Sequence, residues 1–241
     1  RLSLVGSEMC IRDRYIGKTR GKGWSDLKKT LYSLMLSDEV VREVDSLAHR
    51  LGTNRSNLIN QILAEYVNYT TPERRINEIL SAMEQLMSPS RELVPFFTPN
   101  SFSMSLKSSL EYKYRPTVKY EVELYRGGGA SIGALSVMFR TQSTALIQAM
   151  TEFFRLWKRI EDAHLRPLTG AEIDYALYEG KFMRSLAAPD RDCGPEDLAG
   201  AISEYIKLFD RLMKSYLSGR LDPHEVEAAY YSHLINSKIH I

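Results

Sequence analysis

The chain has 241 residues, a size for about one to three domains; at 44% hydrophobic and 26% charged it lies close to the soluble globular average, which excludes wholesale disorder and collagen-like structure. Lys plus Arg outnumber Asp plus Glu by only 32 to 30, so net charge points to no polyanionic partner and any electrostatic argument must come from local clusters. No apolar run approaches the ~20 residues that span a bilayer, and two cysteines cannot staple a chain of this size, which fits a reducing, cytoplasmic setting.

In chain order, residues 1–13 resemble a secretory signal until Glu8, Arg12 and Asp13 interrupt the apolar stretch. The run Leu4 to Asp13 instead resembles a translated sequencing-library adapter and is set aside from fold reasoning, together with Cys10. Residues 14–29 follow as a basic, glycine-containing arm: Arg14, Lys18, Arg20, Lys22, Lys28 and Lys29 stand against Asp26 alone. Such an arm suits a polyanion, or is an ordinary charged leader.

Thr30 to Leu36 reads as a strand. Ser37 caps a helix with Asp38 and Glu39 in its first turn, where the macrodipole favours anions. Val40, Val41, Val44, Leu47, Ala48 and Leu51 form its stripe, and Gly52 ends it. Thr53 or Asn54 caps a second helix lined by Leu58, Ile59, Ile62, Leu63, Tyr66 and Val67. A third starts at Thr71-Pro72 and carries Ile76, Ile79, Leu80, Met83 and Leu86. Pro89, Pro95 and Pro99 mark 88–101, the rest of the 71–101 segment, as a linker or an extended connection.

Residues 102–165 predict a three-stranded antiparallel sheet with one covering helix. From Met104 the period becomes two: Leu106, Leu110, Tyr112, Tyr114, Val118, Tyr120, Val122 and Leu124 share one parity, and Lys107, Lys113, Lys119, Glu121 and Glu123 hold the other. Arg115-Pro116-Thr117 breaks the run into a hairpin, Gly127 to Gly129 makes the next turn, and 131–141 is the third strand. Leu146, Met150, Phe153, Trp157 and Ile160 lie on the helix at 142–164. Residues 168–241 predict helices only: Thr169 with Glu172 as a capping box for 170–186, then a loop holding Cys193, a helix at 195–218 and a last one from Asp222-Pro223.

Helices follow Thr30–Leu36 for a long stretch, so the strand has no local partner. Unpaired backbone groups are unfavourable, and pairing with the same strand of a second copy about a two-fold axis removes the cost. The run Leu34-Met-Leu-Ser-Asp-Glu-Val-Val, then Val44-Asp-Ser-Leu-Ala-His-Arg-Leu-Gly52, then Asn54-Arg-Ser-Asn-Leu-Ile59 resembles the ribbon-helix-helix family of CopG- and Arc-type DNA-binding proteins, over residues 29–68 only. The fold class expected is therefore α+β: a ribbon-helix-helix module at 30–68, the three-stranded sheet with its helix, and a helical C-terminal part.

The resemblance implies a bacterial, dimeric transcriptional regulator that inserts a two-stranded ribbon into the major groove of double-stranded DNA. It places Lys29, Leu31, Ser33 and Met35 toward the bases. Lys28, Asn54, Arg55 and Ser56 fall at phosphates, at the start of the second helix. Tyr32, Leu34, Leu36, Val44, Leu47, Leu51, Leu58, Ile59 and Ile62 form the dimer core. The chain departs from the family in offering only Ser33 as a polar reader. Leu31 and Met35 touch thymine methyls but make no bidentate bond of about 1–3 kcal/mol discrimination, so specificity falls to Lys28, Lys29, the arm or DNA shape.

Alternatives are an accessory DNA-binding factor of plasmid transfer or partition, and a scaffold whose N-terminal unit only dimerises. No enzyme, cofactor or membrane partner is expected; higher oligomers and an unknown ligand or protein at the C-terminal part are left open. Of the five histidines, none has metal-ligand spacing, and His224 with Glu227 reads as a solvated pair. Cys193 reads as an exposed thiol. Tyr112, Tyr114 and Tyr120, interleaved with Lys113 and Lys119, read as core-facing, with a base-stacking strip as the lesser alternative.

Overall fold

The computed structural model describes residues 31, 33–90, 92–96, 102–110, 115–127, 129–170, 172–178 and 180–241. Three helices come first: α1 (Asp38–Arg50), α2 (Arg55–Tyr66) and α3 (Pro72–Met87). Strands β1 (Val94–Phe96), β2 (Ser103–Ser109), β3 (Thr117–Leu124) and β4 (Ser131–Phe139) lead to α4 (Thr144–His164) and the one-turn α5 (Arg166–Thr169). The hairpin β5 (Tyr175–Tyr178) and β6 (Lys181–Ala187) precedes α6 (Pro195–Leu217) and α7 (Pro223–Asn236). No helix among the described residues is long and apolar enough to cross a membrane.

Ser37, Asn54, Thr71 and Ser143 each accept a backbone N–H at the start of a helix, and Asp222 with Glu225 closes a capping box on α7. The strands form one antiparallel sheet of six, in the order β1-β2-β3-β4-β6-β5. Alternation sends Met104, Leu106, Val118, Tyr120, Val122, Leu135, Val137, Phe182 and Leu186 into one core, where they meet the buried stripes of α3, α4, α6 and α7. Phe154 stacks on Phe182 with ring centroids 5.0 Å apart, and Trp157 meets Phe209 edge-on at 4.7 Å. The opposite parity, including Lys107, Lys119, Glu121, Met138, Lys181 and Met183, faces away from these helices.

Two parts of the expected fold class are overturned. The N-terminal unit is not a ribbon-helix-helix module: Leu31 and Ser33 to Leu36 form no strand, while Thr30 and Tyr32 lie outside the described residues. A strand exists only where a ladder satisfies its backbone, and among the described residues none of the six paired strands pairs with 33–36. The sheet has six strands rather than three. β1 lies inside the proline-rich linker, with Pro95 on an edge strand where a missing N–H is tolerated.

Residues 175–187 are a hairpin instead of a helix, with β6 inserted beside β4 through pairs such as Leu135 with Arg184 and Val137 with Phe182. Thr169 closes α5 rather than opening a helix, its hydroxyl donating back to the Leu165 carbonyl, and Gly170 follows at φ 60°. Cys193 is buried, not exposed. Glu227 makes its hydrogen bond to His164, at 2.7 Å, and His224 acts on it only as a nearby charge. Tyr120 is in the core as expected, whereas Tyr112, Lys113 and Tyr114 lie outside the described residues.

Where the β4 register shifts between Ser131 and Gly133, the Ser131 hydroxyl donates to the carbonyls of Gly133 and Leu186. A side chain at Gly133 would put its Cβ 2.2 Å from the Glu123 carbonyl oxygen, a backbone atom in the centre of the sheet. Gly133→Ala is expected to destabilise the protein by about 1–3 kcal/mol, read as a lower urea midpoint; an unchanged midpoint would show that β3 and β4 can separate without cost.

Candidate functional site

The N-terminal helix pair holds the residues expected to function. α1 and α2 pack chiefly on each other, joined by a turn in which Gly52 takes φ 62° and the Thr53 N–H bonds to the Ala48 carbonyl. Only Ala48, Leu58 and Ala64 are buried in the two helices. Of the expected dimer core, Leu58 is buried, Val44, Leu47 and Ile59 are half-buried, and Leu34, Leu36, Leu51 and Ile62 are exposed. Leu63, Tyr66 and Val67 are exposed beside them, Tyr66 at 87%. Tyr32 is outside the described residues.

The expected base-facing residues Leu31, Ser33 and Met35 are exposed on non-strand backbone, so no ribbon aims them at a groove. Lys28 and Lys29 lie outside the described residues. The expected phosphate residues are brought together at the start of α2, but they are already engaged. The Asn54 side chain accepts from the Asn57 N–H at 2.9 Å and caps its own helix. The Arg55 guanidinium grips the Asp45 carboxylate with two nitrogens, Nε to Oδ1 at 2.5 Å and Nη2 to Oδ2. That hydrogen bond, aided by the guanidinium charge, holds the Asp45 carboxyl below the usual carboxylate range. Ser56 is exposed.

A second constellation lies in the core and was not anticipated. Glu161 on α4 and Arg184 on β6 are both fully buried and bonded, Arg184 Nε to Glu161 Oε2 at 2.9 Å. Tyr175 donates to the same oxygen at 2.8 Å. Tyr205 and Tyr230 donate to Oε1 at 2.9 and 3.3 Å. Trp157 donates to the Tyr205 hydroxyl at 2.8 Å, and Arg184 Nη2 donates to the Ile241 carbonyl. Burial, together with the Glu161 charge, pushes the Tyr175, Tyr205 and Tyr230 hydroxyls up, so they remain protonated and act as donors. Among the described residues Arg184 Nη1 has no hydrogen-bond partner.

The signal for this cluster was one charge on each of two apolar faces. Glu161 follows Phe153, Trp157 and Ile160, and Arg184 stands between Phe182 and Leu186 at strand spacing. With every Glu161 oxygen occupied by donors from four elements, the arrangement locks α4, β6, β5, α6 and α7 in register rather than offering a reactive group. Among the described residues no group of three His, Cys, Asp or Glu could hold a metal ion. A cavity of about 360 Å³ beside the cluster is lined by Tyr205, Tyr230, His233 and Ile241; burial holds the His233 imidazole below its ordinary pKa.

The chain matches no family model, no curated protein and no solved structure.

Breaking the buried pair from one side leaves the other charge uncompensated. Arg184→Met is expected to cost about 3–5 kcal/mol. The double variant Glu161→Gln/Arg184→Met should lose clearly less than the sum of the two single changes. Additive losses in a urea double-mutant cycle would mean that the two groups do not act as a pair.

Proposed function

We propose that the protein is a non-enzymatic, DNA-binding homodimer of transcription-regulator type, in which the α1–α2 pair is the self-association and DNA-contacting unit. One observation carries this: α1, α2 and the turns that end them leave Leu51, Ile62, Leu63, Tyr66 and Val67 exposed, whereas α3, α4, α6 and α7 bury their main stripes in one core. Contiguous apolar surface on a small helical unit is the mark of an interface, and a second copy offers the same surface in return. DNA contact is assigned to the start of α2, where Arg55 and Ser56 are exposed, and to the basic arm 14–29, whose six cations oppose one acid. No β-ribbon is invoked, because residues 33–36 are not a strand.

The bidentate Asp45–Arg55 pair supports a second reading, a scaffold that dimerises without DNA, since it occupies the guanidinium at the start of α2. The two differ in salt response. For a DNA binder, affinity for a generic duplex falls steeply with salt, and Arg55→Ala lowers the slope of log K against log salt by roughly 0.9 for each phosphate left unneutralised. Deletion of 14–29 lowers it further. Dimers with no salt-dependent duplex binding would reject the DNA reading and leave the scaffold.

A further inference from the structure

The helices α3, α4, α6 and α7 share one core with the inward residues of the sheet. Among the described residues no helix adds a buried stripe to the other face, where Ser103, Ser105 and Ser136 are buried, Lys119, Met138 and Lys181 are half-buried, and Lys107 and Tyr178 are exposed. That face carries a row of directly opposed side chains across all six strands: Val94, Lys107, Lys119, Met138, Lys181 and Tyr178. Lys107 and Lys119 are direct cross-strand neighbours, an arrangement that is unfavourable for like charges unless an anion relieves it. Lys107 lies over the Phe96 ring at 4.3 Å, Lys119 is 3.4 Å from Glu121, and Lys181 has no ion-pair partner among the described residues.

Arg115 and Arg140, both exposed, flank β3 and β4 at this same end of the sheet. The acids of the face, Glu121 and Glu123, stand in the next rows toward the other end. Each edge strand adds an exposed aromatic ring on this face, Phe96 at 50% and Tyr178 at 58%.

We propose that this sheet face binds single-stranded nucleic acid, with phosphates tracking Lys107, Lys119 and Lys181 and bases stacking on Phe96 and Tyr178. A cationic track interleaved with exposed aromatic rings is the chemistry that holds an unpaired strand without reading its sequence. Five strand spacings of ~4.8 Å make the track about 24 Å long, enough for a few nucleotides, at the small end of the ~4–16-nucleotide range of single-strand sites. The site is separate from the α1–α2 unit and stands or falls independently of duplex binding there.

The test is fluorescence anisotropy of the full chain with a labelled oligothymidine and, in parallel, a mixed-sequence duplex, over a salt series. Lys107→Ala/Lys181→Ala is expected to weaken oligothymidine binding about tenfold or more and to lower its salt slope by roughly 0.7 for each phosphate left unneutralised. Tyr178→Ala is expected to weaken it about fivefold or more. Glu121→Gln, which releases Lys119, is expected to strengthen it. Duplex binding should respond to Arg55→Ala and not to these changes. Absent oligothymidine binding, or binding that the folded lysine variant retains in full, overturns the proposal. So does a lysine variant that sediments as a smaller species than the parent, since the face would then join two copies.

Discussion

Apolar surface must be taken out of water, and the way this chain achieves it orders the whole molecule. The sheet turns one parity of each strand inward, and α3, α4, α6 and α7 close over it, so that Met83, Phe153, Trp157 and Phe209 have no exposure at all. The same force is left unsatisfied in α1 and α2. Two short helices facing each other can cover Ala48, Leu58 and Ala64 but not the outer flank of Leu51, Ile62 and Tyr66. The contrast between a sealed body and an open pair is what the proposed function of the N-terminal unit rests on.

Inside the body, the polar cluster supplies what apolar packing alone does not. Methylene contacts are non-directional, whereas Glu161 meets Arg184, Tyr175, Tyr205 and Tyr230 only in one arrangement of α4, β5, β6, α6 and α7. A buried ion pair is weak evidence for net stability. Its contribution here is alignment: it ties the late hairpin β5–β6 to helices on both sides of it in sequence. The Ile241 carbonyl is drawn in by the same guanidinium.

Much of the local structure was legible because its determinants are local. Ser37, Asn54, Thr71-Pro72 and Asp222-Pro223 announce helix starts through capping chemistry, and the parity of Met104 to Leu124 announces the β2–β3 hairpin. The misses share a cause. Residues 170–186 are rich in good helix formers, and a serviceable capping pattern precedes them. They become β5 and β6 because β4, far away in sequence, offers a ladder that no local period reveals. Leu31 and Ser33 to Leu36 form no strand for the complementary reason: the pattern is strand-like, but the described chain provides no ladder. The residues expected at a phosphate were found together at the start of α2. The acid that holds Arg55 there, Asp45, was not foreseen, because it lies on the preceding helix and meets Arg55 only after the Gly52 turn is made.

The proposed function needs the N-terminal pair to be completed by a second copy, which would bring two Arg55 residues and two basic arms onto one assembly. Sedimentation equilibrium of the full chain over a range of concentrations tests that most directly. A species of twice 27.6 kDa that reverts to a folded single subunit on Ile62→Asp is the expected result. A wild-type chain that stays at 27.6 kDa at every concentration would contradict it.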